Sequence, residues 1–167
     1  KGKIVTLDTG HFHLTESIAD KISSMLLFTP EIMLHVSRPI RWDSDHVVTL
    51  NDDLQDLARE IIRCDALDRV HIGLDYFDAT INRIGAYVIG CRATQKAFIQ
   101  ALLEPSALLN SYEENGQYFE RLALQEEAKS LPWNAVWDYY CLQNNVPVGE
   151  NYITEIQKYE QAITSKR

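Results

Sequence analysis

The sequence predicts an α/β chain on a parallel sheet. Three observations predict it: short apolar runs of strand length, a longer stretch of helical periodicity after each, and a side-chain parity that gathers apolar groups on one face of every run. Strands alternating with helices in this way form βαβ units, with the sheet parallel and the helices outside it.

The first unit runs from a strand over Ile4 to Asp8 into a helix beginning near Thr15, its expected N-cap, with Ile18, Ile22, Met25 and Leu26 on one face. In the second, a strand over Ile32 to Val36 is followed by a polar loop from Arg38 to Asp45 and a helix from Asp52. Leu54, Leu57, Ala58, Ile61 and Ile62 form that helix's apolar stripe and Asn51 its expected cap. Asp52 and Asp53 stand where the helix dipole favours negative charge. His46 to Leu50 is read as a short extra extended piece.

The third unit pairs a strand over Arg69 to Asp75 with a helix from Asn82 to Leu103, stopped before Pro105. Beyond that proline the pattern is helical alone: Ala107 to Glu114, Tyr118 to Leu131, Asn134 to Asn145 and Tyr152 to Ser165. The expected organisation is therefore a sheet-bearing unit over residues 1–104 and a helical extension over residues 105–167. Trp133, Trp137, Tyr139 and Tyr140 are expected to serve helical packing or an interface.

The chain has 167 residues, enough for one hydrophobic core. Hydrophobic residues at 46% and charged residues at 24% match average globular composition, which excludes a disordered chain. No run approaches the roughly 18 apolar residues of a membrane span. Acidic residues outnumber basic ones by 24 to 16, for a net charge of -8, and no Lys/Arg cluster offers a footprint for nucleic acid or an anionic membrane. Cys64, Cys91 and Cys141 form no CxxC pair and are expected as buried free thiols of a reducing compartment, hence the cytoplasm. The sequence opens on Lys1 and enters a strand almost at once, so it reads as a piece of a longer protein.

Polar groups gather at the C-terminal ends of the three strands, where parallel barrels build their active sites. Asp8 and His11 flank Gly10, whose tolerance of positive φ would allow a sharp turn that brings both side chains to one point. His35 closes the second strand and Asp75 the third. Asp43 and Asp45, two apart in an extended loop, face the same way. A strand-end Asp by itself is ordinarily a cap or turn residue, and His11 alone would ordinarily be a satisfied histidine. Their co-location on three strand ends points to a metal. Two like charges 4 Å apart repel by roughly 4 kcal/mol at an effective dielectric of 20, an objection that a divalent cation removes. Mixed carboxylate and imidazole ligation suits Mn²⁺, Mg²⁺, Co²⁺ or Zn²⁺, and six candidate ligands suggest two ions, or one ion with supporting partners. His71, a full pleat deeper than Asp75, is expected as a hydrogen-bonded core histidine. His13 and His46 default to loop or supporting roles, and Arg38 and Arg41 are expected to pair with surplus carboxylates.

At these residues the chain resembles the L-rhamnose isomerases. The matching strings are Asp8-Thr9-Gly10-His11-Phe12-His13, Leu34-His35-Val36-Ser37-Arg38-Pro39, Arg41-Trp42-Asp43-Ser44-Asp45-His46-Val47-Val48, Arg69-Val70-His71-Ile72-Gly73-Leu74-Asp75 and Lys129-Ser130-Leu131-Pro132-Trp133. The resemblance implies the C-terminal part of a (β/α)₈ TIM barrel that interconverts L-rhamnose and L-rhamnulose with two divalent ions, commonly manganese, in a cytoplasmic homotetramer. By position it implies His11, Asp43 and Asp45 as ligands of the catalytic ion, and Asp8, His35 and Asp75 as ligands of the substrate-anchoring ion. His11 and Asp75 are the residues expected to take part in catalysis. The family's further glutamate ligand and a lysine near the substrate would precede Lys1. Hydride transfer between C1 and C2, or proton transfer through an enediol, both remain open.

Only three of eight barrel strands are visible, so the isolated chain is expected to be inactive without its upstream part. Two alternatives stand beside this reading: another divalent-metal barrel, either a sugar isomerase or a hydrolase, and a non-catalytic interaction module.

Overall fold

The computed structural model describes residues 2–40 and 44–166. Its sheet holds three parallel strands, β1 (Val5–Asp8), β2 (Ile32–Val36) and β3 (Val70–Leu74), paired in that order. Helix α1 (Ala19–Leu26) lies between β1 and β2 in the chain, α2 (Asp52–Arg63) lies between β2 and β3, and α3 (Arg83–Leu102) follows β3. The expected alternation of strand and helix is present, and each strand ends within a residue of its expected bounds.

Register explains where the core lies. Leu7, Leu34 and Ile72 stand abreast on one face of the sheet, and Asp8, His35 and Gly73 on the other. The apolar face, with Leu7, Ile32, Leu34, Val36 and Val70, is buried against Ile22 and Leu26 of α1, Leu54, Leu57, Ala58 and Ile61 of α2, and Ala86, Ala93, Ala97 and Ala101 of α3. Leu54, Leu57 and Ile61 each contribute about 1.5–3 kcal/mol by burial. The alanine stripe of α3 lets that helix lie close to its neighbours. Asn51 caps α2 by accepting from Leu54 N, and Asn82 caps α3 by accepting from Gly85 N. Arg69 donates to the carbonyls of Leu26, Thr29 and Pro30, tying the end of α1 to the start of β3.

Four helices follow: α4 (Ser106–Glu114), α5 (Tyr118–Lys129), α6 (Trp133–Gln143) and α7 (Asn151–Ala162), with a 3₁₀ turn over Thr164–Lys166. Helices α6 and α7 both reach α3. Among the described residues no helix is long and apolar enough to cross a membrane.

Several expectations are corrected. Helix α1 begins at Ala19 rather than near Thr15, because Thr15 is engaged with His13 and the chain turns before entering the helix. The segment from His46 forms no strand; a single antiparallel bridge joins His46 to Arg38. Arg38 Nε donates to the Val47 carbonyl, not to a carboxylate, and Arg41 lies outside the described residues. His71 is half-exposed on the open face and pairs with Glu31 at 2.5 Å, so it is no core histidine. The cysteines are free, yet only Cys141 is buried; Cys64 is half-buried and Cys91 exposed. The expectation for the tail aromatics is not among these: Trp137 is buried and Tyr140 lies against it with ring centroids 5.8 Å apart, while Tyr139 is exposed.

Candidate metal centre

At the C-terminal end of β1, Asp8 caps a 3₁₀ turn over Thr9–His11, its Oδ1 accepting from Gly10 N at 2.9 Å. That bond orients the carboxylate. The other oxygen, Oδ2, lies 3.4 Å from His35 Nδ1 and 3.6 Å from His11 Nε2. His35 stands abreast of Asp8 because the pleat of β2 sends it to the face away from the core. Asp75 follows the end of β3, and its N–H donates to the Val36 carbonyl at 3.1 Å. This extra rung holds Asp75 Oδ2 at 3.2 Å from His35 Nδ1.

One ligand atom from each of Asp8, His35 and Asp75 therefore lies within 4.8 Å of the others. Ligand atoms about 2.1 Å from a shared octahedral ion stand about 3 Å apart, so separations of 3.2 and 3.4 Å suit a small divalent cation. The mixed oxygen and nitrogen donors suit Mn²⁺, Mg²⁺, Co²⁺ or Zn²⁺ alike.

Asp45 approaches from the loop before α2. A Cβ placed on Gly10 would stand 2.0 Å from Asp45 Oδ1, so the carboxylate occupies the space beside the turn that carries His11. Asp45 Oδ1 is buried and has no hydrogen-bond partner among the described residues. An orphaned buried carboxylate oxygen is costly unless a cation meets it. Gly10 does not adopt a positive φ. Its small size, rather than the backbone freedom expected from the sequence, is what the turn requires. Asp43 lies outside the described residues. The structure thus brings Asp8, His35 and Asp75 together, sets His11 beside Asp8, and lays Asp45 against Gly10.

Neighbouring groups have other duties. His13 Nδ1 lies 2.7 Å from Thr15 Oγ1. Asp78, beyond β3, accepts from Thr80 Oγ1 and Thr80 N, and these bonds hold its carboxyl below the usual carboxylate range, with His46 and Arg38 adding smaller pulls. Tyr76, next to Asp75, is buried; its hydroxyl donates to the Ala86 carbonyl at 2.9 Å, and burial pushes its phenol up to about 12. Thr9 and Ser37, which the sequence places only within the matching strings and marks with no role, join the two loops of the site. The signal was faint: two small hydroxyl residues 28 positions apart, each next to a residue that follows or precedes a site group.

The model of the family described as L-rhamnose isomerase (RhaA) matches residues 1–167. The L-rhamnose isomerase of Bacteroides thetaiotaomicron is 69% identical over 167 residues, 100% of this chain and 40% of that protein. Those of an Enterobacter species and of Pectobacterium atrosepticum are 58% identical over 161 residues, 96% of this chain and 38% of that protein, and 56% identical over 167 residues, 100% of this chain and 40% of that protein. The chain spans about two fifths of the length of these curated relatives. With every residue matched by the family model, the chain belongs to the L-rhamnose isomerase family.

Proposed function

We propose that these residues are the C-terminal portion of a divalent-metal-dependent enzyme that interconverts L-rhamnose and L-rhamnulose. The observation that carries this reading is the convergence of Asp8, His35 and Asp75 from three neighbouring strand ends, in a chain of this family. In it, Asp8, His35 and Asp75 hold a substrate-anchoring ion, and His11, Asp43 and Asp45 hold a second. Divalent ions held there would supply Lewis-acid polarisation of the sugar carbonyl.

The chain's own groups do the rest. Gly10 N–H keeps Asp8 Oδ1 engaged so that Oδ2 faces His35. The rung from Asp75 N to Val36 O keeps Asp75 at the mouth. His11 Nε2, beside Asp8 Oδ2, and the Asp75 carboxylate are the groups best placed to touch substrate or its protons. Imidazole and carboxylate must be deprotonated to coordinate, so metal uptake releases protons and weakens in acid.

The two outer strands, β1 and β3, each leave an edge unpaired in the described sheet. The reading fills these edges with upstream strands of a (β/α)₈ barrel, in a cytoplasmic homotetramer, and makes the isolated chain inactive. The test is calorimetric titration with Mn²⁺ together with a ketose-formation assay on L-rhamnose, for this chain alone and mixed with the upstream portion. Activity only in the mixture, lost on Asp75→Asn, is expected. Turnover by this chain alone would overturn the fragment reading, and a mixture that ignores L-rhamnose would overturn the substrate.

A further inference from the structure

Strand β1 leaves the sheet before β2 does. The β1–β2 ladder ends with Asp8 opposite His35, whereas β2 runs on beside β3 through Val36 and then Asp75. One residue past Asp8 the main chain has already entered the 3₁₀ turn that carries His11, and the side chain of Thr9 takes over the pairing. Ser37 N donates to Thr9 Oγ1 at 2.7 Å, and the Thr9 hydroxyl donates to the Ser37 carbonyl at 3.0 Å. The two hydroxyl oxygens are 3.1 Å apart, so Ser37 Oγ–H completes a third bond. Ser37 is only 7% exposed, which shields these bonds from competing water.

We propose that Thr9 is a positioning residue: its hydroxyl, clasped on Ser37, sets the separation between the loop bearing Asp8 and His11 and the strand end bearing His35. The inference rests on the metal reading above. The clasp follows directly on the last pair of the β1–β2 ladder, Asp8 and His35, so a slip there parts Asp8 Oδ2 from His35 Nδ1. Groups that orient metal ligands without touching the metal are typically worth 10- to 100-fold in metal affinity. Valine matches the shape of threonine but neither donates nor accepts; serine does both.

The experiment measures Mn²⁺ affinity by calorimetry on the polypeptide completed to the length of its relatives, for wild type, Thr9→Val and Thr9→Ser, with KM and kcat for L-rhamnose at limiting and at saturating Mn²⁺. Thr9→Val is expected to weaken Mn²⁺ binding about tenfold or more, Thr9→Ser to bind as wild type does, and excess Mn²⁺ to restore part of the lost kcat. Thr9→Ala repeats the measurement if the valine variant does not fold. A merely structural role would lower the melting temperature of Thr9→Val while leaving the Mn²⁺ affinity of the folded protein unmoved, and that result overturns the proposal. Wild type that takes up no Mn²⁺ overturns the metal reading and this inference with it, whereas wild-type binding matched by Thr9→Val overturns the clasp alone.

Discussion

The carboxylate of Asp45 lies where a side chain on Gly10 would have to go, with its Oδ1 2.0 Å from the position of that missing Cβ. Gly10 is buried in the turn between Asp8 and His11, and the backbone carbonyl of Ser44 stands 3.1 Å from the same point, which blocks retreat on that side. Gly10→Ala is therefore expected to push Asp45 away by about an ångström while the sheet keeps its core. Displacements of that size at a reacting centre cost about 10²-fold in rate. In the completed enzyme, kcat/KM on L-rhamnose should fall by that order with the far-ultraviolet circular dichroism unchanged. Activity within a factor of two of wild type would show that Asp45 has no part in the site.

Gly90 plays the corresponding role for Tyr76, the residue after Asp75. A Cβ there would meet Tyr76 Oη at 2.1 Å and ring carbon Cζ at 2.9 Å, and the ring cannot withdraw without giving up its hydrogen bond to Ala86 and its stacking on Tyr87 at 4.9 Å. Gly90→Ala should cost about 1–3 kcal/mol through overpacking, offset by at most about 1 kcal/mol of helix propensity. Gly73→Ala is the contrast: its nearest neighbour is the flexible Cε tip of Met33 at 2.8 Å, which can move aside. Thermal melts should rank Gly90→Ala well below Gly73→Ala; the reverse order would refute the account of Tyr76.

Strand parity made much of this legible in advance. A period of two sends Asp8, His35 and Asp75 to the strand ends on the face opposite Leu7, Leu34 and Ile72, whatever the rest of the fold. Asn51 was readable as a cap because capping chemistry is local. What escaped was set by the path of loops. Thr15 has the right chemistry for a cap but is held by His13, so α1 starts later. Parity gave His71 its face without saying whether anything covers that face, and it is half-exposed. The Thr9–Ser37 clasp joins residues 28 apart that carry no periodic signal.

Tyr76 gives the fold an alkaline limit. Its phenol sits at about 12 in the folded chain, first because burial disfavours the charged form and then through Cys91 and Tyr87, while an unfolded tyrosine titrates near 10. Between those values the unfolded chain loses a proton that the folded chain keeps, so stability falls as pH rises through that window, by up to on the order of 2 kcal/mol. Urea unfolding of wild type and Tyr76→Phe from pH 9 to 12 should show a steeper alkaline loss in wild type. Parallel curves would assign the loss to other groups.

Arg92 anchors the tail. It is 8% exposed, and its guanidinium lies 5.0 Å from the Trp137 ring and 4.6 Å from the Tyr152 ring. Nη1 donates to the Pro147 carbonyl and Nη2 to the Gly149 carbonyl, each at 3.1 Å. One side chain of α3 thus binds α6, α7 and the loop between them, and the flat fork of arginine is what lets two carbonyls and two rings be met at once. Arg92→Ala removes two charge-assisted hydrogen bonds and both ring contacts, which together are worth on the order of 2–4 kcal/mol. Arg92→Lys supplies a point charge that cannot span Pro147 O and Gly149 O, so it should recover only a small part. Limited proteolysis should cut first between α6 and α7 in both variants, because the loop held by the fork is the segment released. Cleavage rates there equal to wild type would mean that the tail is held by its apolar contacts with α3 and that the arginine merely fills space.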